Sequence, residues 1–331
     1  MDRVTIIGAG VAGLCVARAL LDRGVDVRIV DRQAELGPQA CSWWAGGMLA
    51  PYCEGESAEE PVVRLGQEAA DWWAAKTNAV HRCGTLVVSP ARDRADLNRF
   101  ARRTQAFLEI DADEISQLEP DLAGRFTKGL FFESEAHLAP RDALAQLRAG
   151  LVADGAVFEV ADADPDDFAQ RGLTIDCRGF QARSHEANLR GVKGEMLILS
   201  CPDVTLSRPI RMLHPRVPLY IVPRGDGVFM VGATMIEGGN VQRVTARSLL
   251  EMLSAAYALN PAFGEAEVIE IGVDSRPAFP DNLPRISRRG NLISANGLYR
   301  HGFLLAPAMA RMVAELVCDN KIPEILHETA A

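Results

Sequence analysis

Hydrophobic and polar positions switch between two periods along this chain. Val4-Thr5-Ile6-Ile7 is a short β-branched run, Leu14 to Arg23 carries apolar residues at helical spacing, and Val27-Arg28-Ile29-Val30-Asp31 is a strand ending in an acid. A change of period from 2 to 3.6 and back marks a strand-helix-strand unit. Glu59 to Thr77 reads as one amphipathic helix, with Val62, Val63, Leu65, Ala69, Trp72 and Trp73 as its apolar positions and the tryptophans in the core. Gly84 to Val88 and Gly129 to Phe132 read as strands, with a helix over Arg94 to Gln105 between them. Pro140 stands at a first helical position, ahead of a helix from Arg141 to Ala153. Ala156 to Val160 and Leu173 to Asp176 are two further strands. The acids between them, Asp162, Asp164, Asp166 and Asp167, are expected in a solvated loop and not in a metal site, since no His or Cys is near in sequence.

Val192 to Ser200, Ile210 to Leu213, Leu219 to Val222 and Val228 to Ala233 are short strands separated by Pro, Gly and Asp. They predict an antiparallel sheet with Arg224-Gly225-Asp226-Gly227 as a hairpin turn. Thr245 is placed to cap a helix from Ala246 to Leu259, and Val268 to Val273 returns as a strand. Asn291 to Ala295 is a strand, Asn296 to Leu305 a glycine-containing turn, and Pro307 to Cys318 an apolar helix.

The turn after the first strand is Gly8-Ala9-Gly10-Val11-Ala12-Gly13. Gly8 permits the tight turn, Gly10 lets backbone come close to a pyrophosphate, and Gly13 lets the helix lie on the sheet with its N-terminus toward the anion. Asp31 follows Gly13 by eighteen residues, where its carboxylate can accept from ribose hydroxyls. Strand, glycine turn, helix, second strand and terminal acid together make a dinucleotide fingerprint. Further along, Cys41 to Pro51 contains the adjacent glycines Gly46 and Gly47. There backbone passes close to something bulky, either a ligand or another strand.

With 331 residues, 48% of them hydrophobic, the chain can form two cores, or one large domain with a second grown from its loops. A formal charge of −9 with scattered Lys and Arg argues against nucleic acid as a partner. The apolar start is interrupted by Arg18, Asp22 and Arg23, unlike a signal peptide, and no apolar run approaches the roughly 20 residues that span a bilayer. The seven cysteines are well separated and lack any C-x-x-C, so neither disulfides nor a metal is expected and a reducing cytoplasm fits. A single fingerprint, followed by the glycine stretch and an inserted sheet in place of further alternating units, tilts the choice of cofactor from NAD to FAD.

These residues resemble a known family. The fingerprint with Asp31-Arg32, the stretch Ser42 to Pro51, Leu138-Ala139-Pro140-Arg141, Tyr220 to Pro223, Val231 to Met235, Ser275-Arg276-Pro277 and Tyr299 to Pro307 look like the D-amino-acid oxidase superfamily. Within it they are most similar to the glycine oxidases of thiamine biosynthesis. The resemblance implies an α/β fold, with a Rossmann-type FAD-binding domain (residues 1–80, 141–190 and 275–331) and an inserted α+β substrate domain built on an antiparallel sheet (81–140 and 191–274). It implies oxidation of glycine or another small amino acid or amine to an imine, with hydride passing to flavin N5 and oxygen reduced to hydrogen peroxide.

By the same resemblance Arg276 forks the substrate carboxylate, Tyr220 sets a hydroxyl beside it, and Met235 lines the pocket. Arg300 lies near the substrate end of the flavin, closing over the substrate or pairing with a carboxylate on a neighbouring loop. The pyrophosphate sits at Val11-Ala12, the ribose at Asp31-Arg32, and the isoalloxazine against Cys41, Ser42 and Gly46, Gly47 and Met48. Leu298, Tyr299, Arg300 and the backbone N–H groups of His301, Gly302, Phe303 and Leu304 face the flavin pyrimidine edge, where a helix N-terminus matches developing negative charge. Departures from the family pattern are Leu298 in place of a His, His301 in place of an Asn, and Trp43-Trp44 in place of small residues. The adenine contact is expected around Ala163. Alternatives are a D-amino-acid or sarcosine-type enzyme that passes electrons to another acceptor, an NAD-dependent dehydrogenase, and a non-catalytic flavoprotein. Self-association is left open.

Overall fold

The computed structural model describes residues 3–213, 219–238 and 243–326. The outermost residues of the expected first and last segments lie outside that range. Among the described residues the predicted fingerprint forms as read: Val4–Ile7 is a fully buried strand, Val11–Leu21 a helix with Gly10 as its N-cap, and Val27–Asp31 the second strand. These belong to a six-stranded sheet in the order 285–289, 292–296, 174–176, 4–7, 27–31, 157–160. It is parallel except for Arg285–Arg289, which runs antiparallel to Leu292–Asn296. The strand order reverses between Val4–Ile7 and Thr174–Asp176, so a crevice opens where their carboxyl ends diverge.

A second, nine-stranded sheet is mostly antiparallel. Its spine is Arg190–Ser200, paired on one side with Glu267–Ala278 and on the other with Val228–Gly232, which pairs in turn with Leu219–Pro223. The hairpin turn at 224–227 forms as predicted, with the Arg224 N–H donating to the Val228 carbonyl at 2.8 Å. Ile210–Met212 pairs antiparallel with Leu219–Pro223 as expected, while on its other side it pairs in parallel with Thr85–Val88. A small three-stranded sheet, 48–49, 136–138 and 80–81, lies beside these two.

Two helix predictions need correction. The stretch 59–77 is not one helix but two, Glu60–Gly66 and Ala69–Lys76. The break, at residues 67–68, follows Gly66, where Leu304 packs so close that a Cβ would come within 2.8 Å of its Cγ. The last helix begins at Gly302, not Pro307, and runs through the proline to Asp319. Pro307 cannot donate to the Phe303 carbonyl one turn back. The Trp73 indole N–H takes that acceptor at 2.9 Å, so the interruption leaves no buried carbonyl unpaired. The helix N-terminus therefore lies at residues 302–304, against the site. The acidic stretch also contains a short helix, Pro165–Ala169, capped by Asp164.

Candidate active site

A cavity of about 490 Å³ runs along the crevice at the carboxyl ends of the parallel strands and continues under the antiparallel sheet. Every candidate residue named from the sequence lines it except Gly13. A Cβ on Gly13 would collide with the Gly8 carbonyl, so this glycine serves helix-to-strand packing. Gly8 has φ +103°, and a Cβ there would stand 2.7 Å from the Cys177 carbonyl oxygen on the adjacent strand end. Only glycine meets both conditions. The first intrahelical bond runs from the Leu14 N–H to the Gly10 carbonyl at 3.0 Å, which leaves the N–H groups of Val11 and Ala12 directed at the cavity end of the helix. Asp31 is held by the Ala9 N–H at 2.7 Å and the Gln33 N–H at 2.9 Å. Its carboxylate is thereby oriented at the cavity wall beside Arg32, and Ala163 lines the same end.

Cys41–Trp44 forms one 3₁₀ turn, followed by Gly46, Gly47 and Met48. Both readings of the paired glycines hold: Gly46 and Gly47 line the cavity, and each also clears space for a neighbour. A Cβ on Gly46 would stand 2.8 Å from the Tyr220 ring, and one on Gly47 would stand 2.9 Å from the Pro140 ring. Arg224, which the sequence reading used only as a turn residue, clamps this segment. Its guanidinium donates to the carbonyls of Gly46 at 2.8 Å, Leu138 at 3.2 Å and Ala45 at 3.3 Å, and burial lowers its pKa to about 10. Trp43 does not line the cavity; it stacks under Arg141, which forks Glu270 with two bonds of 2.8 Å. Trp44 does line it, with its indole N–H on the Pro38 carbonyl at 3.0 Å.

The closing turn brings Leu298 to Leu304 to the opposite wall. Tyr299 adopts φ +51°, its N–H on the Pro277 carbonyl at 2.8 Å. Of the two roles left open for Arg300, the carboxylate pair is the one formed: its guanidinium donates to Glu54 at 2.6 Å and to the Ser57 hydroxyl at 2.7 Å. His301 Nε2 lies 2.9 Å from the same Glu54 oxygen, and Arg211 reaches the other at 3.3 Å. Burial by itself would raise the Glu54 carboxyl, but Arg300, His301 and Arg211 hold it well below the ordinary range. Burial likewise lowers the His301 imidazole, with Glu54 opposing. Glu54 and Arg211 were not legible as site residues, since 246 residues separate Glu54 from Arg300 and 157 separate it from Arg211, and only the fold joins them.

The floor under this wall is one face of the antiparallel sheet. Tyr220 stands opposite Gly232, and a Cβ at Gly232 would stand 3.4 Å from the phenol oxygen. The Arg276 guanidinium lies across Gly194, where a Cβ would overlap it, and donates to the Thr234 carbonyl at 3.0 Å. The Trp44 ring packs on Gly272 in the same way. Glycine inside a strand signals a close approach from above, and Gly194, Gly232 and Gly272 carry that signal here, though none was singled out from the sequence. Met235 Sδ is 3.5 Å from the Tyr299 hydroxyl and 3.6 Å from Arg300.

These residues fit FAD. A glycine-cleared cradle meets one helix N-terminus, the N–H groups of residues 302–304 supply a second, and His301 Nδ1 is buried at the cavity wall without a hydrogen-bond partner among the described residues. Elsewhere, the fold brings His185 to Asp164 and Asp166, with ligand atoms within 4.8 Å of one another, a proximity the sequence did not reveal. Asp166 pairs with Arg289 there. All seven cysteines are free, and no helix among the described residues is long and apolar enough to cross a membrane.

Residues 3–316 match the model of the DAO family, FAD dependent oxidoreductase. A chain from Rhizobium etli that carries the name thiamine biosynthesis oxidoreductase ThiO is 54% identical, over 97% of this chain and 98% of that one. The glycine oxidase of Pseudomonas aeruginosa is 25% identical, over 97% of this chain and 96% of its own. The crystal structure of glycine oxidase from Geobacillus kaustophilus superimposes with a TM-score of 0.80 at 23% identity, covering 98% of this chain and 97% of that one.

Proposed function

This chain belongs to the DAO family of FAD dependent oxidoreductases, and from that premise we propose that it oxidises glycine or a comparably small amino acid to the imine. The observation that carries this reading is the floor of the cavity, where a guanidinium and a phenol are laid over strand glycines at one end of a dinucleotide crevice. Arg276 holds the substrate carboxylate with a planar fork of donors, and the Tyr220 hydroxyl adds a further donor beside it. When bound, FAD supplies the hydride acceptor, and the amine must be neutral for its Cα hydrogen to leave as hydride. The Arg300–Glu54–His301 network fixes the turn on the far side, and Met235 lies against it, which limits the space for a substrate side chain. The two helix N-termini offer N–H donors to the cofactor's anionic edges.

The imine hydrolyses to the keto acid and ammonia, and oxygen takes up the electrons as hydrogen peroxide. The name of the Rhizobium etli relative supports a place in thiamine biosynthesis. The test is turnover of the yellow holoprotein in air with glycine. Glyoxylate, ammonia and peroxide formed in equal amounts are expected; glyoxylate without peroxide, with reduction of an added dye, would instead point to another acceptor. Protein that releases no flavin on denaturation would overturn the whole reading.

A further inference from the structure

An amino acid arrives as a zwitterion, and Arg276 answers only its carboxylate. Alternation along Glu267–Ala278 places Gly272, Asp274 and Arg276 on one face, opposite Met196, Gly194 and Val192 of the neighbouring strand. Asp274 and Arg276 both line the cavity. Their Cα atoms are two residues apart on one strand, roughly 7 Å, and the position across from Asp274 is Gly194, which has no side chain to stand between them. The Arg276 guanidinium leans over that same glycine, so cation and carboxylate flank a single opening.

Resting on the amino-acid reading above, we propose that Asp274 receives the ammonium group of the substrate while Arg276 holds its carboxylate, so that the floor selects zwitterions over simple carboxylic acids. The charged and titratable groups facing Asp274 among the described residues are Arg276 on its own strand, Arg32 beyond the second fingerprint strand, and the Cys41 thiol on the 3₁₀ turn. Burial raises the Asp274 carboxyl to about 6, against the opposing Ser275 N–H, Arg32 and Arg276. At neutral pH the group is therefore ionised and able to hold a cation. A neighbouring carboxylate also favours the charged form of a bound amine. Asp274 thus gains affinity for the zwitterion while raising the pH at which the neutral amine becomes available.

The test compares holoprotein with Asp274→Asn, a near-isosteric change, and with Asp274→Ser, using perturbation of the bound flavin spectrum by glycine and by acetate, which lacks the amine. Loss of one charge-assisted contact weakens glycine by about tenfold. Acetate is expected to bind no more weakly, and in wild type its affinity falls as pH rises through the range where Asp274 ionises. Anaerobic reduction by glycine is expected to rise at lower pH in Asp274→Asn than in wild type. Glycine and acetate weakened alike, or a pH profile of reduction that does not move, would overturn the proposal and leave Asp274 as a structural residue. If glycine neither perturbs nor reduces the wild-type flavin, the amino-acid reading falls and this inference with it. If glycine reduces wild type and variant with the same concentration dependence, only this inference falls.

Discussion

The role proposed for Arg276 rests on two features: the Thr234 carbonyl orients the guanidinium, and Gly194 leaves the space it occupies. Removing the fork in Arg276→Leu forfeits two charge-assisted hydrogen bonds, about 2.8 kcal/mol, and raises the apparent KM about 100-fold with the bound flavin spectrum unchanged. Steady-state kinetics alongside that spectrum checks it. The Gly194→Ala variant tests the same arrangement without touching the arginine. A methyl group there displaces the guanidinium, and the KM is expected to rise by about tenfold or more with flavin content intact, because the strand itself tolerates alanine. The arginine was legible in the sequence only through its resemblance to a family pattern; the glycine beneath it had a physical signal of its own, a residue with no side chain inside a predicted strand. Asp274 had neither, since a polar residue in a half-exposed edge strand is unremarkable until the register puts it beside Arg276.

At the scale of elements, the closing turn is fixed by Glu54, which stands at the end of the short helix Pro51–Glu54 and takes donors from Arg300, His301 and Arg211. Its carboxyl is held below the ordinary value of 4.5, so the stability it contributes is present above that pH and is lost as pH falls through the depressed value. Glu54→Gln leaves two guanidinium groups facing a neutral amide in a mostly buried site and is expected to cost about 3 kcal/mol at neutral pH. The gap between variant and wild type narrows in denaturant melts taken progressively below pH 4.5. The fingerprint unit was readable because each step from strand to turn to helix has a local cause. The helix start at Gly302 was not, because Pro307 reads as a boundary unless Trp73, more than two hundred residues away, is known to satisfy the carbonyl it strands.

For the molecule as a whole, two sheets meet along one cavity, and the cofactor is expected to bind between the strand ends of the parallel sheet and one face of the antiparallel sheet. Ligand that binds only the folded state stabilises it by mass action, about 2.7 kcal/mol at a free concentration 100 times Kd. Thermal melts of stripped protein with and without added FAD are therefore expected to differ by several degrees, with NAD giving no shift. Most of the strands, the strand-helix-strand unit and the antiparallel sheet followed from periodicity and turn residues, but the order of strands within each sheet did not. What joined them did not, since the contacts from Arg224 to Gly46 and from Trp44 to Gly272 link segments that carry no mark of each other. The most direct measurement of the central claim is anaerobic titration of the holoprotein with glycine, sarcosine, D-alanine and D-proline, following flavin absorbance near about 450 nm. Stoichiometric loss of that band is expected with glycine, and loss of the response in Arg276→Leu at the same glycine concentration. A band that persists with every one of these amines would contradict the claim.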